Sequence, residues 1–376
     1  MLDRTVVGRN GTDTGGSPRA DASSERDTDV LVIGAGQAGL GTSYWLARHG
    51  GGGVRTLVLD SAPIGQSWIQ RWDSLTLFTP RRFSSLPGLR FPRGRGFPSR
   101  TEMADYLRDY AERFALPVET GVHVDRLSRT GSAFVARTSD GLVRARQVVV
   151  ATGPFHDPRI PEAYRDLHPD VVQLHSSDYR RPADLPTDTV LVVGGGNSAA
   201  QLAVELADAG RSVTVASPRR PWYLPESILG VDLYWWIYLG GVLNADRDAR
   251  VSRRVRERGD AVIGTQLRQL TRSGQVRLHP SRVVGADGRT VRLADGTEIA
   301  VESVLWCTGF RPDYSWVEIP GVTDDDGAPV HEAGASPVPG LHWMGLPWQT
   351  RLNSSIIDGI DRDARRTAER IIAVLS

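Results

Sequence analysis

The sequence has no lysine and only one cysteine, Cys307, among its 376 residues. The absence of lysine excludes mechanisms that need a lysine Schiff base or the lysine of a phosphate-binding P-loop. A single cysteine excludes, within one chain, a disulfide framework, a CxxC redox pair and a cysteine-rich metal site. Cys307 is interpreted as a small packing residue, because nothing near it in the sequence would activate its thiol.

Long apolar runs and excess charge are also absent. The longest apolar stretch, residues 233–243, has 11 residues, whereas a membrane-spanning helix needs about 20. The formal net charge of +1 argues against a nucleic-acid partner. Residues 1–28 are polar and contain no apolar segment, so they predict a disordered leader and no secretion signal. We therefore expect a soluble, cytoplasmic protein with no membrane partner.

A glycine-rich loop lies near the start of the chain, in DVLVIGAGQAGLGTSYWLARHG, between an apolar strand and a helix. Gly34 permits a tight turn, Gly36 lets the backbone approach a pyrophosphate, and Gly39 lets the helix pack against the strand. Asp60 ends the next strand, 24 residues after Gly36. A carboxylate at that place accepts hydrogen bonds from ribose hydroxyls, so the pattern predicts a dinucleotide site.

A second loop, TVLVVGGGNSAAQLAVELADAG, repeats the pattern with Gly194, Gly196 and an alanine in the third place. The following strand ends in Ser217, Arg219 and Arg220 rather than in an acid. A hydroxyl and two guanidinium groups would bind a 2′-phosphate, which predicts NADPH rather than NADH at this loop. The alternative is that the two arginines are ordinary solvated loop charges.

Each of the two loops begins a larger unit, and the two units have the same pattern of predicted strands. Each is followed by two alternating strands around an Asp-Gly turn, at Asp140-Gly141 and at Asp295-Gly296, which is a strong hairpin signal. An apolar strand then ends in Thr152-Gly153 or in Thr308-Gly309, where small residues would let backbone lie against a cofactor. This internal duplication, with an acid after one loop and arginines after the other, predicts FAD and NADPH.

The order of these units predicts an α/β fold of two linked Rossmann-like dinucleotide-binding domains. The FAD domain is expected to be discontinuous, from 29–183 and 311–376, with the NADPH domain, 184–310, inserted between its parts. The tail contains an apolar strand, a polar turn and a closing amphipathic helix. The N-terminus of this closing helix would point at an electron-rich group.

Four segments resemble the flavin-containing monooxygenases: GQSWIQRWDSLTLFTPRRFSSLPG (65–88), QLHSSDYR (173–180), CTGFRPDYSW (307–316) and GLPWQTRLNSSIIDGIDRDA (345–364). The likeness is strongest to the small bacterial branch, which is similar to plant indole-pyruvate monooxygenases. It implies that FAD lies extended in the first domain and that NADPH reaches across from the second domain to the flavin. It also implies a small-molecule substrate and O2 as the partners.

The resemblance assigns particular residues to the two cofactors. Val124 would offer its backbone to the adenine of FAD, and His175, Ser176 and Tyr179 would lie near the domain interface and the nicotinamide. The full set of residues expected to bind a cofactor is Gly34, Gly36, Gln37, Gly39, Asp60, Gln66, Ser67, Trp68, Val124, Thr152, Gly153, His175, Ser176, Tyr179, Gly194, Gly196, Asn197, Ser198, Ser217, Arg219, Arg220, Thr308, Gly309, Ser354 and Ser355.

The resemblance implies that NADPH reduces FAD and that O2 then forms a flavin C4a-hydroperoxide. This adduct would oxygenate a soft nitrogen or sulfur atom or attack a carbonyl. Many relatives place an asparagine beside the flavin, whereas the matching stretch SLTLFTP offers Phe78 and Thr79. Thr79 and Asn353 are the candidates for this role. Both have an alternative interpretation as turn or capping residues.

Other functions also agree with the sequence. A reductase or oxidase without oxygen insertion shares the fold, and a non-enzymatic NADPH-binding redox sensor is a further alternative. The aromatic segment 221–243 is interpreted as a cap over the substrate pocket or its entrance. It could equally be a packing helix or a contact in a homodimer.

Overall fold

The computed structural model describes residues 25–259 and 261–376. The first part of the chain contains β1 (Glu25–Ile33), α1 (Gln37–Gly50), β2 (Thr56–Asp60), α2 (Gln66–Ile69), α3 (Arg100–Arg113), β3 (Val118–Thr120), β4 (Val124–Thr130), β5 (Ala133–Thr138), β6 (Gly141–Val150) and β7 (Asp157–Pro158). The middle part contains β8 (Val172–His175), β9 (Thr189–Val193), α4 (Asn197–Asp208), β10 (Ser212–Ala216), β11 (Tyr223–Leu224), β12 (Ser227–Ile228), β13 (Val231–Asp232), α5 (Leu233–Leu239), α6 (Arg250–Arg258), β14 (Val262–Ile263), α7 (Gln266–Ser273), β15 (Val276–His279), β16 (Val283–Asp287), β17 (Thr290–Leu293), β18 (Glu298–Ala300) and β19 (Ser303–Trp306). The last part contains β20 (Phe310–Arg311), β21 (Leu341–Trp343) and α8 (Ile360–Leu375). Short 3₁₀ helices lie at Arg81–Phe83, Glu162–Asp166, Pro182–Asp184 and Ile357–Gly359.

The first sheet has the strand order β3-β2-β1-β6-β5-β4, and β21 also pairs with β6. Its strands β3, β2, β1, β6 and β21 run parallel, while β5 and β4 form antiparallel pairs. The predicted hairpin at Asp140-Gly141 is confirmed, because Thr138 pairs with Gly141. The C-terminal parts of β1 and β6, residues 30–33 and 148–150, are continuous apolar runs because helices or other chain segments cover both faces of the sheet there.

The second sheet has the order β15-β10-β9-β19-β8, and all its strands are parallel. The loop Gly194–Gly196 connects its central strand, β9, to α4. The second predicted hairpin is also present, since β17 pairs antiparallel with β18 on either side of Asp295-Gly296. The predicted α/β class is therefore confirmed. In the part of the chain that the structure describes, no helix combines the length and the apolar character needed to cross a bilayer.

Two predicted boundaries differ from the structure. Residues 1–24 of the expected leader lie outside the described part, but residues 25–28 already belong to β1 and pair with β6. The predicted boundary at 183/184 leaves β8 outside the second domain, whereas β8 pairs with β19 at the edge of the second sheet. Leu167 and Val171 also pack with the core of that sheet. The sequence does not predict β8, because this edge strand has only four residues and so shows too little alternation of apolar and polar side chains.

The two sheets are joined at one end. Strands β7 and β20, which carry the chain from one sheet to the other and back, pair with each other through Phe310 and Pro158. Trp72, from the first part of the chain, packs in the apolar core beside α4. The Asp73 N–H donates to the Arg180 carbonyl at 2.8 Å. These contacts place the carboxyl ends of the parallel strands of both sheets around one shared region.

Candidate functional site

The first glycine loop lies where β1 ends and α1 begins. A Cβ on Gly34 would lie 2.6 Å from the Ala151 carbonyl oxygen, and one on Gly39 would lie 1.8 Å from the Gly34 carbonyl oxygen. Both glycines therefore permit backbone contacts that a side chain would prevent. Gly36 differs, because no atom of the described residues, apart from its neighbours in the chain, lies within 4 Å of a Cβ built there. The open surface is at the N-terminus of α1, where a pyrophosphate fits.

Asp60 lies beside this loop, as the sequence predicts. One carboxylate oxygen accepts a hydrogen bond from the Ala35 N–H at 2.7 Å, and the other accepts one from the Ala62 N–H at 2.9 Å. The carboxylate is thereby fixed at the carboxyl end of β2, next to the loop. Each oxygen keeps a further lone pair for a ribose hydroxyl. The N-terminus of α1 and the Asp60 carboxylate are therefore brought together.

The other residues expected along FAD lie in the same half of the chain. Gln66, Ser67 and Trp68 form most of the short helix α2, whose Trp68 packs against the core beneath α1. Val124 begins β4 and is buried. Gln37 is the first residue of α1 and is partly exposed beside Gly36.

The second loop repeats the first in detail. A Cβ on Gly194 would lie 2.3 Å from the Cys307 carbonyl oxygen, whereas nothing lies within 4 Å of one on Gly196. Asn197 is a packing residue, because its side-chain amide donates to the Ala261 carbonyl and accepts from the Ile263 N–H, both at 2.9 Å. This corrects the expected cofactor contact of its side chain. Gly196 and the partly exposed Ser198 remain accessible at the start of α4.

The residues after β10 divide into two groups. Arg219 and Arg220 are exposed, and the Arg219 guanidinium donates to the carbonyls of Glu257 and Arg258 at the end of α6, each at 3.2 Å. Ser217 is only 1% exposed, and its hydroxyl donates to the Arg219 carbonyl at 2.6 Å. This hydroxyl therefore shapes the loop that carries the two arginines, whereas the sequence predicts a phosphate contact for it.

The two Thr-Gly strand ends meet at the junction of the sheets. Gly153 has a φ of +76° and open space around its Cα, while its carbonyl accepts the Tyr314 hydroxyl at 3.0 Å. Thr152 is exposed. At the other end, the Thr308 hydroxyl donates to the Arg159 carbonyl, and Gly309 is exposed with a φ of +81°. The hydroxyl of Thr308 thus holds the junction, while the backbone of both glycines remains accessible.

His175 is buried at this junction and is held as a neutral ring. The Ser177 N–H donates to its Nδ1 at 3.2 Å, so the ring proton lies on Nε2, which donates to the Gly309 carbonyl at 3.0 Å. Burial lowers the pKa of His175, which favours the neutral form. His175 therefore fixes the backbone of Gly309 and is not available as a general base.

Ser176 and Tyr179 do not line an open site. Tyr179 is fully buried in the core of the second sheet, and its hydroxyl donates to Glu205 Oε2 at 3.0 Å. Burial raises the pKa of this phenol. Ser176 is 4% exposed, and its N–H extends the ladder by donating to the Trp306 carbonyl at 2.9 Å. The Tyr179 side chain thus has a packing role in place of the expected cofactor contact, while the expected contact of Ser176 stays a prediction.

The two candidates for oxygen activation are both buried. The hydroxyls of Thr79 and Ser84 lie 2.9 Å apart within a turn, which supports the alternative interpretation of Thr79. The Asn353 amide donates to Asp358 Oδ2 at 3.3 Å, but its Oδ1 has no partner within the described chain. Burial raises the pKa of Asp358 to about 6. The Asn353 Oδ1 is therefore a buried acceptor with no partner among the described residues.

The neighbouring serines stabilise the turn before α8. Ser354 is fully buried, and its hydroxyl accepts hydrogen bonds from the N–H groups of Thr350 and Arg351, both at 3.0 Å. The expected cofactor contact of the Ser354 side chain is therefore corrected to a turn-forming role. Ser355 is partly exposed.

A cavity of about 390 Å³ lies between α5, the loop at residues 82–90 and the segment 351–362 that leads into α8. Tyr234 of α5 packs against Phe83, and Leu352 covers the same cluster. The aromatic segment thus forms one wall of a cavity, which agrees with the predicted cap. The lining residues are Arg82, Phe83, Ser85, Arg90, Trp235, Tyr238, Asn244, Arg351, Asp358, Asp361 and Arg362.

Sequence reasoning did not identify one cation and two aromatic rings at the junction. The Arg71 Cζ lies 5.1 Å from the ring centroid of Phe310 and 5.8 Å from that of Phe155. The Phe155 side chain is 64% exposed. The only signal in the sequence was that Phe155 and Phe310 each come shortly after a Thr-Gly strand end.

Comparisons with known proteins agree with this geometry. The family described as pyridine nucleotide-disulphide oxidoreductase matches residues 31–237. An uncharacterized CzcO-like oxidoreductase from Geobacillus kaustophilus is 41% identical over 89% of this chain and 96% of its own. The solved flavin-containing monooxygenase from Stenotrophomonas maltophilia has 30% identity and a TM-score of 0.76, covering 93% of this chain and 100% of that one. An indole-3-pyruvate monooxygenase of Oryza sativa, YUCCA8, is 24% identical over 81% of this chain and 82% of its own.

These findings confirm the resemblance to the flavin-containing monooxygenases. FAD and NADPH, which the two loops predict, are cofactors of this group. A disulfide-reducing mechanism that uses a cysteine pair is excluded within one chain, since Cys307 is the only cysteine. The chain belongs to the pyridine nucleotide-disulphide oxidoreductase family and, within it, to the flavin-dependent enzymes of the monooxygenase type.

Proposed function

We propose that the chain is an NADPH-dependent FAD monooxygenase that oxygenates a small molecule. The observation that carries this proposal is that the chain has two glycines of the same kind, Gly36 and Gly196, at the starts of α1 and α4. Each leaves its backbone accessible to a ligand. Each lies at the carboxyl edge of a mainly or wholly parallel sheet, and the two edges meet where β7 pairs with β20. Two dinucleotides held at such edges would lie close enough for electron transfer.

The first half of the chain fits FAD. Gly36 offers open backbone for the pyrophosphate and Asp60 a fixed carboxylate for the ribose. Gly153 adds accessible backbone, and the C-terminal part of the predicted FAD domain contributes the Asn353 Oδ1, which has no partner among the described residues. Bound FAD would supply the reduction of O2, while these residues bind and orient it.

The second half fits NADPH. Arg219 and Arg220 end β10 in place of an acid, and paired guanidinium donors suit a phosphate. The carbonyls of Glu257 and Arg258 hold Arg219 in place. The hydroxyl of Ser217 supports the same loop from below. Discrimination between NADPH and NADH is therefore assigned to these two arginines.

The cavity under α5 is the proposed substrate site. Phe83, Trp235 and Tyr238 provide aromatic surface. Arginines outnumber carboxylates among the charged lining residues, which are Arg82, Arg90, Arg351, Arg362, Asp358 and Asp361. Such a lining favours a substrate with an apolar body and an acidic group. The relative from Oryza sativa is named for a keto acid, which is consistent with this choice. The aromatic wall would also limit the entry of water.

Gly36→Ala and Gly39→Ala should separate FAD binding from folding. A methyl group at residue 36 would contact none of the described residues beyond its chain neighbours, so Gly36→Ala should fold normally but retain little flavin. Gly39→Ala places a methyl group against the Gly34 carbonyl and should lower the melting temperature even without flavin. Flavin content by absorbance and thermal unfolding of the apoprotein measure both effects. Full flavin content in Gly36→Ala would contradict the assignment.

The double substitution Arg219→Gln/Arg220→Gln should weaken the preference for NADPH. Loss of two charged donors to a phosphate should raise the KM for NADPH about tenfold or more, with little change for NADH. Steady-state oxidation of both nucleotides gives the ratio. Arg277→Gln, on the exposed face of β15, is the matched control. Equal losses for the two nucleotides would rule out 2′-phosphate recognition.

Oxygen insertion is tested by measuring how much of the NADPH oxidation is coupled to formation of oxygenated product. With a panel of aromatic acids, sulfides, amines and ketones, NADPH oxidation should be matched by oxygenated product with little peroxide for at least one class. We expect the acids to be best. Peroxide equal to NADPH consumed across the whole panel would instead identify an oxidase, and NADPH oxidation without O2 uptake would identify a reductase.

Trp235 and its neighbour Trp236 provide a matched pair for the cavity. Trp235 lines it, whereas Trp236 is 45% exposed and does not. Trp235→Ala should therefore raise the substrate KM several-fold, while Trp236→Ala leaves it nearly unchanged and both keep full flavin content. Sedimentation of both variants checks the alternative of an oligomer contact. The cap role fails if only oligomer size or stability responds.

A further inference from the structure

Arg71 crosses from the first half of the chain to the edge of the second sheet. It comes after α2, yet its guanidinium lies over the rings of Phe310, just after β19, and Phe155. The His175 ring, at the end of β8, packs edge-on against Phe310 with the ring centroids 5.0 Å apart. A cation of one half therefore lies where β8 and β19 of the other half end.

This guanidinium has no counter-ion within residues 25–259 and 261–376. No carboxylate there lies within 4.0 Å of it, and its side chain donates no hydrogen bond to the described chain. Burial, and the nearby Arg180 guanidinium, lower the pKa of Arg71. Contacts with two aromatic faces offset only part of the cost of burying a charge. The arrangement leaves planar donors available to an anion.

The turn that carries Arg71 is held firmly. Arg100 donates to the carbonyls of Ile69 and Arg71, and it forms an ion pair with Asp73 at 2.5 Å. Trp72, the next residue, is buried against the core beside α4. A ligand would therefore meet a backbone already in position, which lowers the entropy cost of binding.

Strand order indicates which part of a dinucleotide would reach Arg71. The nucleotide is expected to cross the sheet at β9, with its phosphates at the start of α4. Arg219 and Arg220 end β10, on one side of β9, and mark the adenosine half. β19 and β8 lie on the opposite side. The nicotinamide half would thus extend over their ends, toward Phe310 and His175.

We infer that Arg71 binds the phosphate on the nicotinamide side of NADPH, reaching to it from the half of the chain assigned to FAD. This inference rests on the proposed function and deepens it. A guanidinium matches a phosphate with two parallel hydrogen bonds. Because the residue belongs to the other half, it orients the nicotinamide toward the flavin site. Arg71 is accordingly a positioning residue rather than a group that takes part in hydride transfer.

The test compares two ligands by calorimetry on the FAD-loaded protein. NADP⁺ contains the phosphate on the nicotinamide side, whereas 2′,5′-ADP lacks it. Arg71→Gln should raise the Kd for NADP⁺ about tenfold or more and change that for 2′,5′-ADP less than about twofold. Arg71→Lys should lie between Arg71→Gln and the wild type. Arg219→Gln, the control at the adenosine end, should weaken both ligands.

The possible outcomes separate this inference from the proposed function. If the wild type binds both ligands and Arg71→Gln binds NADP⁺ equally well, the role of Arg71 is refuted while the second site stands. Equal weakening of both ligands also refutes it. A wild type that binds neither ligand overturns the second site and the inference together. Flavin absorbance and melting temperature check folding, and Arg71→Lys gives the same comparison if the glutamine variant is unstable.

Discussion

Two backbone contacts that only glycine allows determine where both candidate sites lie. Gly34 packs against the Ala151 carbonyl and Gly194 against the Cys307 carbonyl, at distances that leave no room for a Cβ. Each contact brings the end of a central strand against the end of its neighbour, so the following helix starts at the carboxyl edge of the sheet. The N-termini of α1 and α4, with their free N–H groups, are thereby aimed at the same kind of ligand.

The duplication extends to the residue whose carbonyl group each glycine contacts. Ala151 and Cys307 both precede a Thr-Gly strand end, and both are small. This explains Cys307 without reactive chemistry, and burial raises the pKa of its thiol. The two copies then diverge at the end of their second strand, where one has Asp60 and the other has two arginines. The same backbone arrangement thus occurs twice, with different side chains for the ribose end of each nucleotide. This suits a protein that transfers electrons from one cofactor to another.

Much of this could be predicted from the sequence because it depends on local chain geometry. Glycine spacing, Asp-Gly turns and the acid at residue 60 each specify a conformation or a contact within a short segment. The edge strand β8 was missed, because its four residues show no clear alternation and its position depends on pairing with β19. The predicted leader includes residues 25–28, whereas these residues belong to β1 and pair with β6, a contact distant in the sequence.

Side-chain roles were predicted less well than backbone roles. Ser217, Asn197 and Tyr179 occur in matching motifs, but their polar atoms are used by the protein itself. Nothing in a linear sequence shows whether a hydroxyl is buried. Arg71 is the reverse case: only the folded arrangement of both halves shows that no carboxylate among the described residues pairs with it. Residues that bind through their backbone are therefore the more secure part of the predicted site.

One half of the chain is proposed to hold a flavin, which the nucleotide held by the other half reduces. Mixing the FAD-loaded protein with NADPH or with NADH under anaerobic conditions, and monitoring the flavin absorbance, tests this claim most directly. We predict rapid bleaching by NADPH and much slower bleaching by NADH at equal concentration. A flavin that NADPH leaves oxidised, or one that both nucleotides reduce at the same rate, would contradict it.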